Sequence, residues 1–328
     1  MKIAVIQGGP SAEAEVSRKS AAGVAAALQQ AGHEPHRLEL DAALATKLLG
    51  GDFDVVFPVT HGKLGEDGCL QGLLEIIELP YVGSGVLASA LAADKVHAKR
   101  VFRVHGLPVA DELVITRQHD RAATLGKLRS VFSAGVAVKP ATQGSAIGVS
   151  LVDNTTDDAL CAALDEAFRY DDVVLCEKLL RGREMTCGVL DVPSQGGVRA
   201  LPVTEIFSKA AGWYDFKSKY AAGGSVHQCP ADLPETIGER VQRIACEAHV
   251  ALGCRDLSRV DFVVGDRDDP RTITVLEINV LPGMTATSLY PEAAAAAGIA
   301  FPALCERFVR AAVARHPVRR FVEALPMP

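Results

Sequence analysis

No Cys-x-x-Cys pair occurs in this chain; its eight cysteines are scattered at 69, 161, 176, 187, 229, 246, 254 and 305. That scatter excludes zinc-site spacing. With thiols such as Cys176 sitting in apolar runs, it points to a reducing, cytosolic setting without a disulfide framework. Sustained basic runs are missing too, and the formal net charge is −6. Neither nucleic acid nor a membrane surface is therefore expected as a partner. The N-terminal MKIAVIQGGP is too short an apolar run for a signal peptide or a membrane span. Two phosphate-binding signatures are also absent. The first glycine-rich turn, Gly8-Gly9-Pro10-Ser11-Ala12-Glu13, is not Gly-x-Gly-x-x-Gly, and no Gly-x-x-x-x-Gly-Lys-Ser/Thr loop follows anywhere.

What is present is a chain of 328 residues, 48 % apolar and 23 % charged, long enough for two or three domains with cores of their own. Its most informative stretch begins at Ser258. Two runs rich in β-branched residues, SRVDFVV and TITVLEIN, flank the polar break GDRDDPR, which is hairpin punctuation. A turn centred near Asp268–Asp269 sets Asp261 opposite Glu277 and Arg259 opposite Asn279, all on one face. Val260, Phe262, Leu276 and Ile278 then fill the other face as core. Two facing carboxylates and an amide oxygen make a hard-oxygen set suited to Mg²⁺, the alternative being a hairpin with one solvated polar face. The continuation Asn279-Val280-Leu281-Pro282-Gly283 enters a glycine-containing loop that can present backbone N–H groups beside the metal.

The first 92 residues alternate strand and helix. Strands are expected at Lys2–Gln7, near His36–Leu40 and at Val55–Thr60; helices at about Ala12–Gln30, Ala42–Leu49 and Leu70–Ile77. This order predicts a parallel, doubly wound sheet with functional loops at its strand ends, where Glu13 and His61 fall. Glu13 reads equally as a helix-dipole partner, and His61 as a structural histidine. A helix carrying Lys95, Lys99 and Arg100 follows. The strand Val136–Lys139 then opens into the Gly/Ser loop Ala141–Gly148, where an ammonium and several N–H groups can meet a polyphosphate, or where a solvated turn can stand. After a helix near Asp157–Arg169, the strand Val173–Cys176 leads into Glu177-Lys178-Leu179-Leu180, where a carboxylate and exposed backbone can read an adenine edge, or where an edge strand merely carries charge. Strands at Met185–Val192 and Ala200–Val203 precede FSKAAGWYDFKSKYAAGGS. This long aperiodic stretch, with Trp213, Lys217, Lys219 and Tyr220, is expected to be a lid or disordered. The helix Glu235–Leu252 then leads into the hairpin.

Taken in order, GGPSAEAEVS at 8–17, HGKLGEDGCLQGLLE at 61–75, LPYVGSGVLASALAADK at 79–95, KPATQGSAIGVS at 139–150, KSKY at 217–220, SRVDF and LEINVLPGMTATSL resemble the D-alanine–D-alanine ligases of the ATP-grasp superfamily. The resemblance spans essentially the whole chain. It implies an α/β fold, α+β in the ATP-binding part, in a three-domain ATP-grasp architecture: an N-terminal substrate domain over 1–93, a central subdomain over 94–183 and a C-terminal metal-binding domain over 184–328. It also implies a cytoplasmic enzyme, commonly a homodimer, that uses ATP to join two D-alanines through a D-alanyl phosphate for peptidoglycan synthesis. Carried over by residue, Lys95 and Lys139 meet the ATP phosphates, Glu177 and Leu180 the adenine, Glu184 the ribose and Lys219 the transferred phosphate. Asp261, Glu277 and Asn279 hold Mg²⁺ (two ions, or Mn²⁺). Glu13 takes the first D-alanine's ammonium and, with Ser145 and Tyr220, ties the lid down; His61 joins the substrate residues. Arg259 and the Gly283 N–H stabilise the tetrahedral intermediate, while Ser288 and the Leu289 N–H hold the second carboxylate. One departure stands out: 141–146 reads ATQGSA where the family usually carries SREGSS. That departure keeps open a ligase joining other amino acids. A nucleotide-binding regulator would have no use for an oxyanion arginine.

Overall fold

In the computed structural model, residues 1–208, 225–265, 269–285 and 287–315 are described. Trp213, Lys217, Lys219 and Tyr220, and with them the whole expected lid, lie outside these ranges.

The run Ile3–Ile6 is buried without a break, which demands a strand covered on both faces. It forms β1 (Lys2–Gln7), flanked in parallel by β2 (Glu34–Glu39) and β3 (Val55–Pro58) in the order β2-β1-β3. Alternation then splits the neighbours. Ile3 and Val5 pack with Val24 and Leu28 of α1 (Ala14–Gln30). Ala4 and Ile6 pack with Leu44 and Leu48 of α2 (Leu44–Leu49) and Leu70 and Leu74 of α3 (Cys69–Ile76). The sheet is doubly wound, as expected.

After α4 (Val86–Ala93), Asp94 caps α5 (Lys95–Val104) by accepting from the His97 N–H. Four antiparallel strands follow in the order β4-β7-β5-β6: β4 (Glu112–Thr116), β5 (Val136–Pro140), β6 (Ser150–Val152) and β7 (Val173–Lys178). One face is covered by α6 (Arg121–Val131) and α7 (Asp157–Phe168), which supply Leu128, Leu160 and Leu164 to the core.

The third sheet is antiparallel. It comprises β8 (Arg183–Val192), β9 (Gly197–Ala200), β10 (Thr204–Ser208), β11 (Ser225–Gln228), β12 (Asp256–Val264) and β13 (Ile273–Asn279). Its order is β11-β10-β8-β12-β13, with β9 beside β8. Ile237, Val241, Ile244 and Ala248 of α8 (Glu235–Ala251) pack under Val260, Phe262 and Ile278. Two helices end the described chain, the short α9 (Leu289–Ala296) and the longer α10 (Phe301–Arg315). From α10, Leu304, Phe308 and Val309 close the α1 side of the first sheet, so the first and last described elements share one core.

Two local expectations need correction. Ala200–Val203 is not a strand: Ala200 ends β9, and Leu201–Val203 connect it to β10 around Pro202, which has no N–H to give a ladder. Leu276 is not core either. A bulge between Asp261 and Phe262 shifts the register so that Phe262 faces Val275, leaving Leu276 as the extra residue. Val275 is fully buried in its place, while Leu276 lines a cleft.

Candidate active site

On the near side of that bulge the expected register holds: Arg259 pairs with Asn279 and Asp261 with Glu277. Asp261 and Glu277 line a cavity of about 560 Å³, and Arg259 and Asn279 line a second of about 280 Å³. Asp261 is heavily engaged. Arg259 donates to it through Nε (2.9 Å) and Nη2 (2.8 Å), Thr186 Oγ1 at 2.6 Å and Asn279 Nδ2 at 3.3 Å. Lys95 Nζ lies 3.2 Å from Glu277 Oε2 and donates to the Gln143 carbonyl at 2.6 Å. Both carboxylates are thus already met by protein cations, and the donor set is all oxygen, so it fits a divalent cation with hard-oxygen preference. No group of three or more His, Cys, Asp or Glu suited to a metal exists among the described residues. A cation here would rest on two carboxylates and an amide and keep room for phosphate oxygens and water.

The larger cavity collects Lys95, Lys139, Glu177, Leu180, Glu184, Asp261 and Glu277, the expected nucleotide and metal residues. They arrive from α5, the ends of β5 and β7, the loop after β7, the start of β8 and the hairpin. Glu177 is not simply turned toward a base. Its buried carboxylate receives Lys139 Nζ on one oxygen at 2.5 Å and Lys99 Nζ on the other. Burial, and after it the Lys139 ammonium, pushes Lys99 down to about 7.

The smaller cavity brings together Glu13, His61, Ser145, Arg259, Asn279, Gly283, Ser288 and Leu289 from all three sheets' surroundings. Ser145, held at φ +53, donates its hydroxyl to Glu13 and so ties the β5–β6 loop to the start of α1. His61 is buried, and burial lowers its pKa; the Glu13 carboxylate opposes this, whereas Arg259 adds to it. Its imidazole is therefore neutral at pH 7. A Cβ on Gly283 would meet Ser288 Oγ at 2.9 Å, so a side chain there would push the Ser288 hydroxyl from its present place. Ser288 precedes α9, and its hydroxyl accepts from the Thr285 N–H at 3.0 Å.

The atypical 141–146 loop finds other partners. Thr142 gives its N–H and hydroxyl to Asp171 at 2.8 and 2.7 Å, and Gln143 Nε2 reaches the Tyr170 carbonyl at 3.3 Å.

Lys219 and Tyr220 lie outside the described residues. Four residues in or beside the site escaped attention as site residues in the sequence. Glu66 accepts from the Gly62 N–H at 2.7 Å inside the small cavity, and burial, followed by the Glu13 charge, pushes its carboxyl up to about 8. His227 lines the same cavity and pairs with Glu292 at 3.0 Å. Thr186 supports Asp261, and Lys99 supports Glu177. Only Lys99 carried a signal, its i, i+4 spacing from Lys95 on one helix face.

Comparison with known proteins shows the family of the chain. Residues 40–84 match the family described as D-ala D-ala ligase N-terminus, and residues 101–310 match D-ala D-ala ligase C-terminus. A D-alanine–D-alanine ligase from Desulforamulus reducens is 42 % identical over 318 residues, covering 95 % of this chain and 99 % of that protein. The solved D-alanine–D-alanine ligase from Coxiella burnetii superposes with a TM-score of 0.80 at 28 % identity, covering 97 % of this chain and 96 % of that one. That from Bacillus anthracis complexed with ATP gives 0.79 at 30 % identity, covering 97 % and 99 %. The chain belongs to the D-alanine–D-alanine ligase family.

Proposed function

We propose that this chain ligates two D-alanines at the expense of ATP, giving D-alanyl-D-alanine, ADP and phosphate through a D-alanyl phosphate, for peptidoglycan precursors. The observation that carries the reading is the small cavity. It sets an ammonium acceptor (Glu13), a fixed cation (Arg259), a glycine N–H (Gly283) and a carboxylate cradle (Ser288, Leu289) next to a nucleotide-sized cleft lined by lysines.

In this reading Lys95 and Lys139 position the polyphosphate, Glu177 and Leu180 meet the adenine, Glu184 the ribose, and Lys219 the transferred phosphate. Phosphoryl transfer is mostly positioning and charge neutralisation, which suits a site built from cations without a covalent nucleophile. The ATP complex of the Bacillus anthracis relative supports the nucleotide assignment. Asp261, Glu277 and Asn279 would hold Mg²⁺ (two ions, or Mn²⁺), which neutralises phosphate charge when bound. Glu13 receives the first D-alanine's ammonium, with the neutral His61 beside it. The first carboxylate attacks the γ-phosphorus and ADP leaves, giving the acyl phosphate. The second D-alanine, held at Ser288 and the Leu289 N–H, gives up its ammonium proton and attacks the acyl carbon through the free amine. Arg259 and the Gly283 N–H stabilise the oxyanion, and phosphate leaves. An acyl phosphate hydrolyses readily, so the lid carrying Tyr220 is assigned to exclude water, latched through Ser145 and Glu13. We place the enzyme in the cytoplasm as a homodimer; no described helix is long and apolar enough to cross a membrane.

The test is phosphate release from Mg·ATP across single D- and L-amino acids, with product masses read alongside. Release that needs D-alanine and yields the D-alanyl-D-alanine mass is expected. Release with a different amino acid would move the substrate to the alternative suggested by the 141–146 loop, and no release with any would sink the reading.

A further inference from the structure

Lys99 has no place in the chemistry above, yet it is among the largest fully buried side chains, only 1 % exposed. An ammonium is not buried without compensation. Lys99 Nζ contacts one oxygen of Glu177, itself 2 % exposed, and Lys139 Nζ lies 2.5 Å from the other. The two lysines differ in outlook: Lys139 lines the nucleotide cleft, whereas Lys99 approaches Glu177 from within the protein. With Lys99 protonated, the three side chains together carry one net positive charge. Without Lys99, Glu177 and Lys139 would cancel.

We infer that Lys99 is a positioning residue for the nucleotide phosphates: by compensating Glu177 from the buried side, it leaves the positive charge of Lys139 to the polyphosphate. The inference rests on the nucleotide reading of this cleft. An isolated carboxylate beside the phosphates would repel them, and a carboxylate saturated by Lys139 alone would cancel the cation that meets them. The charged groups around Lys99 are Glu177 from β7, Lys139 from β5, Glu112 from β4, Arg103 from its own helix and Glu277 from β13. One Glu112 oxygen is buried without a hydrogen-bond partner, so the pocket favours a cation over an apolar side chain at this point.

The test compares affinities of the full chain for adenosine and for a non-hydrolysable ATP analogue with Mg²⁺, by calorimetry at pH 6.5, below the value of about 7 to which Lys99 is pushed. The readout is the ratio of the two affinities, which isolates the phosphates from the base and from folding. Lys99→Met is expected to lower the ratio about tenfold or more, on the order of one charge-assisted contact, with adenosine affinity little changed. Lys99→Arg should keep it. The double variant Lys99→Met/Glu177→Gln should restore it, because charge returns to the parent value, and Glu177→Gln alone should raise it above the parent. A merely structural role predicts no such recovery. An unchanged ratio in Lys99→Met, or a double variant no better than the single, overturns the inference. Should Lys99→Met fail to fold, Glu177→Gln still decides: a ratio at or below the parent's overturns the inference. A parent chain without preference for the analogue over adenosine would overturn the nucleotide reading itself, and this inference with it.

Discussion

At the scale of single residues, Glu66 is a side chain whose state departs from what its type implies. A glutamate normally ionises near 4.5, but here burial first, and the Glu13 carboxylate second, push it up to about 8. The Gly62 N–H, which favours the charged form, recovers only part of this. A folded-state pKa above the unfolded value means the folded chain binds the extra proton between about 4.5 and 8. The stabilising contribution is therefore complete below that window and lost as pH rises through it. Melting temperature measured from pH 5 to 9 should fall for the parent toward the alkaline end, and Glu66→Gln, neutral throughout, should flatten that slope. Equal slopes in the two proteins would show that Glu66 is already ionised at neutral pH. Nothing in the loop 61–68 announced this, because the shift comes from Glu13, over fifty positions away in sequence, and from burial.

At the scale of elements, the β12–β13 hairpin places two neighbouring residues of one sequence pattern in different environments. Leu276 and Ile278 would share a face in an unbroken ladder, but the bulge at Asp261/Phe262 turns Leu276 to the nucleotide cleft and leaves Ile278 3 % exposed. Ile278→Ala should cost about 2–5 kcal/mol in denaturant unfolding, as a large-to-small core change does. Leu276→Ala should cost less than about 1 kcal/mol, since part of that side chain already faces solvent, and instead raise the KM for ATP. Equal stability losses would mean that the two share one core. The pairing of Arg259 with Asn279 and of Asp261 with Glu277 was legible in the sequence, because a polar break and two-residue alternation are local signals. The bulge was not. The Val275 N–H bonds the Pro108 carbonyl at 2.8 Å, so the far half of β13 answers to a segment more than 150 residues upstream.

At the scale of the whole molecule, the flank of the first sheet and the last described helix are clasped around Asp256, the first residue of β12. This carboxylate is fully buried and accepts from the Gly83 N–H at 2.7 Å and from Arg315 Nη1 and Nη2 at 2.6 and 2.9 Å. Arg315 also reaches the Tyr81 carbonyl at 3.2 Å, so one ion pair joins the first sheet's flank, the site hairpin and α10. Burial pushes Asp256 up, and Arg315 is the main force holding it down. Arg315→Met would strand that charge and should cost about 3 kcal/mol, the low end for a broken buried pair because Arg315 is 28 % exposed. The double variant Arg315→Met/Asp256→Asn should lose less than the single, since no carboxylate is left stranded. A loss below about 1 kcal/mol for the single variant in denaturant unfolding would remove the clasp from the account.

By itself the sequence determined the elements with strong local patterns. The apolar run Ile3–Ile6, the stripe Val24–Leu28 and the hairpin break at 265–270 each state their secondary structure within a few residues, and motif order across the whole chain carried the family. Tertiary structure alone decided which charges meet. Lys99 with Glu177, Ser145 with Glu13, and Arg315 with Asp256 are separated by 78, 132 and 59 positions. Each pair exists because separate cores, those under the three sheets, set the connecting loops against one another. Side-chain type announces that a group can ionise; only the neighbours brought by packing, and the water they exclude, decide its charge and its partner.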